Sequence, residues 1–236
     1  MARVCITVLA LLMASDLIAQ RAFETSGEVI YEDARGSRTN LGVGFNPVLM
    51  HDGRVALLRG RSFGYGEEFD CDKRETKNWV SIYNPATKTE RILFDRALPF
   101  DGGKWKFCVF EQMQLSYDGS VLYLVSPVYA TSGSLAIVNL ARGSIGYVPG
   151  VNMVYVIETG PHRDELIYQR RIWHKSAEDG LEYPGYPFVH AHADGQQITE
   201  ISNEYFTVGG NDEVPLLRSY LRKIGGTITV NGRKLP

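Results

Sequence analysis

A chain of 236 residues with 44% hydrophobic and 22% charged residues has the material for one folded domain with its own core. A formal net charge of −2 and a pI near 6.2 provide no field that would gather nucleic acid, which excludes that class of partner. With 13 Tyr, 24 Gly and almost no long helical periodicity, the composition predicts an all-β chain with many turns.

The N-terminus reads as a secretory leader. Arg3 supplies a positive n-region and Val4 to Ala14 an apolar run broken only by Thr7. Leu17-Ile18-Ala19 fits a cleavage site, so residues 1–19 are expected to be a signal peptide and 20–236 a single domain. The apolar run is shorter than the about 20 residues that span a bilayer, so no membrane span is expected once the leader is removed. The expected location is therefore the periplasm or the medium. There the two remaining cysteines, Cys71 and Cys108, become a candidate disulfide.

Gly27 to Glu32 is a short strand candidate, followed by polar Asp33 to Asn40. A fuller unit comes next. Val43 to Met50, the turn His51-Asp52-Gly53, Arg54 to Leu58, Trp79 to Tyr83, the turn Asn84 to Lys88, and Glu90 to Phe94 make four strands. Gly60 to Lys77 is a long polar loop inside that unit. The pattern repeats as Phe107 to Leu115, Asp118-Gly119, Val121 to Val125, Leu135 to Val138 and Ile145 to Val148. Val121 to Val125 is apolar at every position, as a strand buried on both faces should be. A looser third copy runs through Asn152 to Ile157, Leu166 to Trp173, Tyr186 to Ala191 and Gln197 to Ile201. In the tail, Leu217, Tyr220, Leu221 and Ile224 form the apolar stripe of one short helix, stopped by Gly225-Gly226. Thr227 to Val230 is a last strand.

Four-stranded units in tandem mean blades, and the fold class is a β-propeller of about four blades, or an incomplete five, with a short C-terminal helix. Such a ring must hide its edges, so Glu28 to Tyr31 and Thr227 to Val230 are expected in the same or adjacent sheets. The run Leu115-Ser116-Tyr117-Asp118-Gly119 ahead of an apolar strand, closed by Gly133 to Gly143, resembles repeats of TolB-like and related bacterial β-propellers. Asn46-Pro47 to Gly53 followed by Arg54 to Leu58 is similar to the same half-motif. The resemblance spans Val43 to Ile201 and implies a blade; it assigns no activity.

No nucleophile elbow, P-loop, dinucleotide fingerprint or HExxH is present, and no catalytic, cofactor-binding or metal-binding residue is assigned. The acidic loop Glu67, Glu68, Asp70 and Asp72 lies beside Lys73, Arg74 and Lys77 and reads as solvated mixed charge. His190 and His192 alternate on one strand, with Asp194 as a possible third metal ligand, but polar residues on a half-exposed strand explain the pattern better. His51, His162 and His174 are not grouped by any spacing.

The function expected is binding, with a protein or cell-envelope component as partner and an inhibitor or immunity-type role within scope. The alternatives are a secreted hydrolase or lyase using loop carboxylates, and a structural envelope scaffold. First and third connections within each unit are short, while second and inter-unit connections are mostly long, so the long ones should share one face. On that face the candidate binding residues are Tyr65, Glu68, Asp70, Trp105, Trp173 and Tyr183.

Overall fold

The computed structural model describes residues 20–60, 75–100, 105–129, 132–175, 179–201, 213–230 and 233–236. Its strands build four blades in chain order. The first has three strands, β1 (Arg21–Thr25), β2 (Glu28–Glu32) and β3 (Arg38–Val43). The second joins β4 (Phe45–Leu49), β5 (Val55–Gly60), β6 (Glu75–Asn84) and β7 (Thr89–Arg96). A hairpin of β8 (Leu98–Phe100) and β9 (Trp105–Phe107) leads to the third blade: β10 (Gln112–Leu115), β11 (Val121–Tyr129), β12 (Ser132–Asn139) and β13 (Ile145–Pro149). The fourth pairs β14 (Val151–Val156), β15 (Leu166–Arg170), β18 (Phe188–Ala191) and β19 (Gln197–Glu200). Between β15 and β18 it extends a hairpin, β16 (Ile172–Lys175) and β17 (Glu182–Gly185). The helix α1 (Glu213–Ile224) and the hairpin β20 (Ile228–Val230) with β21 (Arg233–Leu235) complete the chain. Every strand pair is antiparallel.

The stacking of these sheets follows from alternation along their inner strands. Val55 and Leu57 of β5 face Ala22, Val29 and Tyr31 of the first blade. Ala56 and Leu58, one residue out of phase, face Leu122, Leu124 and Phe110. On β11 the same division recurs, with Leu122 and Leu124 toward the second blade and Tyr123 and Val125 toward Val154, Val156 and Tyr168 of the fourth. Ile167 and Phe188 then look outward to Leu217 and Leu221 of α1. A strand sandwiched this way must be apolar on both faces, which is why Val121 to Val125 lacks the usual polar alternation. Each fully buried side chain of this kind contributes roughly 1.5–3 kcal/mol of transfer free energy.

Side-chain amides link the first strands of neighbouring blades. A bulge between Phe45 and Val48 leaves Asn46 at φ 49°, a conformation that Asn tolerates better than most residues. Its Oδ1 accepts the backbone N–H of Met113 on β10 at 2.8 Å. From β10, Gln112 in turn accepts the Val154 N–H at 2.8 Å and donates to the Val154 carbonyl at 2.9 Å. Asn78 brackets buried Phe110 the same way, donating to its carbonyl at 2.8 Å and accepting its N–H at 2.9 Å. Arg59 of β5 reaches the first blade through the Leu41 carbonyl at 2.8 Å, and its guanidinium is held by both oxygens of Glu90.

This is a four-blade β-propeller arrangement with one short helix near the C-terminus. Strands β1 and β3 were not expected as partners of β2. Their sequences, RAFET and RTNLGV, are largely polar and exposed, and they are held by pairing to β2 and by Arg21 and Arg38, which both clamp the Glu32 carboxylate. The N- and C-terminal strand candidates lie in separate sheets. Among the described residues, 28–32 pair with β1 and β3 in the first blade, while β20 pairs with β21 and packs against β14 of the fourth. The helix ends as expected: Gly225 takes φ 69° and the Gly226 N–H reaches back to the Leu221 carbonyl at 3.0 Å. No helix among the described residues is long and apolar enough to cross a membrane.

Candidate functional site

Chemistry-bearing side chains converge at the end of the fourth blade, on the turn that joins β14 to β15. Backbone bonds from Glu165 N–H to the His162 carbonyl (3.0 Å) and from Asp164 N–H to the Ile157 carbonyl (2.8 Å) tighten this turn. Its register projects His162 and Glu165 to one side. Next to β15 in the sheet lies β18, where His190 stands opposite Ile167. The ladder to β19 slips between His190 and Ala191, and His192 lies just past the end of β18.

These elements place His190 Nε2 2.7 Å and His162 Nδ1 2.8 Å from the same oxygen, Oε2 of Glu165. His192 Nδ1 is 3.4 Å from Oε1. Behind the cluster, His190 Nδ1 is 2.8 Å from the hydroxyl of Tyr220 on α1, and the His162 and His190 rings meet edge to face with centroids 5.1 Å apart. Burial grades from inside to outside: side-chain exposure is 2% for His190, 23% for Glu165, 38% for His162 and 58% for His192.

Burial pushes the His190 imidazole below its ordinary value, and the Glu165 charge offsets this only in part. For Glu165, burial raises the carboxyl, but the hydrogen bond with His162 and the two nearby imidazoles outweigh it and leave the group below the usual range. Burial, with the Glu165 charge behind it, holds the Tyr220 phenol up. The neutral ring, the ionised carboxylate and the protonated phenol are thus the favoured forms near pH 7.

The pairing of His190 with His192 was visible in the sequence, but the remaining partners were not. Asp194 does not join them; its Oδ1 accepts the Gln196 N–H at 3.0 Å and closes its own turn. Instead His162 and Glu165 supply the other side. The one local signal for this pair was their i, i+3 spacing after Gly160-Pro161, which a tight turn converts into neighbours. Tyr220 carried no site signal, because its place in the helix stripe is explained by packing.

Short first turns at this end of the blades also touch one another. Tyr117 stacks on His51 at 4.5 Å between ring centroids and carries Arg163 over its ring at 4.7 Å. Its N–H is accepted by Asp164 Oδ1 at 2.5 Å. A separate cleft lined by Phe94, Arg96, Val138 and Leu140, between the second and third blades, includes none of the histidines.

The residues expected to bind a partner are distributed differently. Tyr65, Glu68, Asp70 and Cys71 lie outside the described residues. Trp105 opens β9, opposite Phe100 in the register of the β8–β9 hairpin. Trp173 and Tyr183 are both on the β16–β17 hairpin, exposed at 59% and 40%. Because Trp173 pairs with Pro184 and Tyr183 with His174, the two aromatics occupy opposite faces of that ribbon. Arg171 covers the Trp173 ring at 4.5 Å, and the Tyr183 hydroxyl donates to Asp179 at 2.5 Å. The hairpin leaves the blade at the end of β15 remote from Glu165, so the histidine cluster and this ribbon lie at opposite ends of the sheet.

Four stacked antiparallel sheets, three of them four-stranded, define the chain as a β-propeller protein. Similar solved structures include the following. The β-propeller domain of the Trilobed protease from Pyrococcus furiosus, described as having an open velcro topology, matches with TM-score 0.42 at 11% identity, over 75% of this chain and 49% of that one. TolB from Acinetobacter baumannii matches with TM-score 0.41 at 11% identity, over 92% and 51%. Pyrococcus horikoshii acylaminoacyl peptidase gives TM-score 0.43 at 11% identity, over 76% and 29%. The chain therefore spans about half or less of each of these relatives. The resemblance to TolB and other propellers is one of fold alone. No family model matches the sequence, and no curated protein matches it.

Proposed function

We propose that this chain is an exported propeller that acts by binding, with a protein or cell-envelope component as its partner. One observation carries the reading: the β16–β17 hairpin presents Trp173, Leu181 and Tyr183, each at least 40% exposed, on a ribbon projecting from a rigid sheet. Large aromatics in water on a well-anchored hairpin are the usual anchors of recognition surfaces. With Trp173 on one face and Tyr183 on the other, the ribbon suits insertion into a cleft of the partner rather than docking on a flat surface. Tyr65, Glu68, Asp70 and Trp105 remain proposed contributors from the other long connections.

Affinity capture from the envelope fraction, comparing the native chain with a Trp173→Ala/Tyr183→Ala variant, tests this. Two anchors worth about 1–2 kcal/mol each should together reduce recovery of the native partner by roughly tenfold or more. Asn139→Ala, at an exposed short turn where its side chain caps only the Arg142 N–H, should leave recovery unchanged. Equal recovery from the native chain and the hairpin variant would overturn the reading.

Export makes a Cys71–Cys108 disulfide part of the same proposal. Cys108 is wholly buried, and its carbonyl accepts the Lys77 N–H at 2.8 Å, which brings the start of β6 alongside it. A bridge across that connection would stabilise the protein by about 3–4 kcal/mol in the chain-entropy model. Thiol counting in denaturant, with and without prior reduction, should show two more reactive thiols after reduction. Equal counts would remove the disulfide from the proposal.

A further inference from the structure

The histidine cluster at the end of the fourth blade is built like a ligand set more than an isolated ion pair. His190 is nine-tenths buried or more, and its Nε2 makes no hydrogen bond, although Glu165 Oε2 is 2.7 Å away. The carboxylate is close to this nitrogen but not in line for an N–H to donate to it. Meanwhile Nδ1, on the other side of the ring, is satisfied by the Tyr220 hydroxyl at 2.8 Å. In the tautomer that carries its proton on Nδ1 and donates it to Tyr220, the Nε2 lone pair faces a carboxylate oxygen. Two acceptors at that separation repel unless a cation lies beside them. A backing hydrogen bond that fixes the tautomer and leaves the other nitrogen free is the arrangement found behind metal-binding histidines.

We infer that His162, Glu165 and His190 bind a divalent cation of the zinc class. Their donor atoms all lie within 4.8 Å of one another, and the three come from two elements that the sheet holds rigidly. Donors about 2.0 Å from a tetrahedral centre sit about 3.3 Å apart, so the contraction to 2.7–2.8 Å around Oε2 requires only small rotations to open. Two imidazoles and one carboxylate suit zinc and its first-row neighbours; calcium and magnesium prefer oxygen donors throughout. Glu165, His162 and the more exposed His192 face solvent, which leaves a fourth position to His192 or to water. The cation would tie the β14–β15 turn to β18 and, through Tyr220, to α1. It would thereby clip the C-terminal helix to the last blade. This site is independent of the hairpin at the opposite end of the sheet.

The test is titration of the full chain, free of any histidine tag, with zinc by calorimetry and with cobalt by visible absorption. We expect one equivalent to bind, with a tetrahedral cobalt spectrum and a zinc-dependent rise in Tm. Glu165→Gln and His162→Ala alter partly exposed side chains, so both should remain folded by circular dichroism. Each should weaken zinc binding at least ~tenfold and abolish the rise in Tm. His174→Ala, on the β16–β17 hairpin at the opposite end of the sheet, should leave zinc binding and the rise in Tm unchanged. Failure of the folded native chain to take up one equivalent would overturn the inference. So would uptake unchanged by both cluster substitutions, and if one variant unfolds the other decides.

Discussion

Replacing Asn78 with Ala should destabilise the protein by about 2–5 kcal/mol, read as a lower urea midpoint at unchanged slope. Asn78 is wholly buried and meets Phe110, itself wholly buried, with both ends of its amide. Phe110 lies between β9 and β10, outside any strand, so no sheet ladder serves its N–H and carbonyl. The side chain of Asn78 substitutes for the missing strand. Truncation leaves a buried donor and a buried acceptor without partners, and each such group costs roughly 1–3 kcal/mol. Asn84→Ala is the comparison. That Asn caps only the Ala86 N–H at an exposed turn and should cost about 0.5 kcal/mol or less. Equal losses from the two substitutions would mean that the Phe110 peptide is satisfied without Asn78.

Gly160→Ala should cost about as much, for a different reason. Gly160 opens the β14–β15 turn at φ 84°, and a Cβ there would overlap the carbonyl oxygen of Gly225 at the end of α1. The substitution combines left-handed strain of about 1 kcal/mol with a steric conflict between two backbone segments. Overpacking of this kind costs about 1–3 kcal/mol more, since neither segment has a flexible tip to move aside. Gly143→Ala separates the two contributions: its φ of 68° imposes similar strain, but nothing lies within 4 Å of the added carbon. The expected order in thermal unfolding is native chain, Gly143→Ala, then Gly160→Ala. Equal Tm values for the two variants would show that α1 does not press on the turn.

Those two sites illustrate what sequence pattern conveys. The Asp-Gly turns at 52 and 118, the Asn84 to Lys88 turn and the all-apolar run Val121 to Val125 announced the second and third blades, because turn chemistry and two-sided burial are local requirements. The helix stripe was equally readable, with Leu217 and Leu221 buried as its period demands. Strands β1 and β3 were not readable, since pairing to β2 and the ion pairs on Glu32 hold them rather than any apolar pattern. The β8–β9 hairpin and most of β16–β17 were not readable as strands either, since three- and four-residue ribbons are too short to show a hydrophobic period. Ile172 and Trp173 were expected to continue the strand begun at Leu166. At the candidate metal centre, only His190 and His192 stood out. Glu165 and His162 belong to a turn whose sequence has drifted from the repeat, and Tyr220 lies 30 residues beyond His190. Only the packing of α1 on the fourth blade brings them together.

The amides of Asn46 and Gln112 give the assembly an uneven genetic vulnerability. Within a blade, neighbouring strands are joined by main-chain groups that every residue but proline possesses, so a substitution other than to proline leaves that attachment in place. Between the first strands of successive blades, part of the attachment is one carboxamide reaching for one peptide. A single-base change can therefore slacken the seam between two blades while leaving both blades' ladders intact. Substitution of Asn46 or Gln112 alone would change how tightly adjacent modules are coupled without redesigning either module.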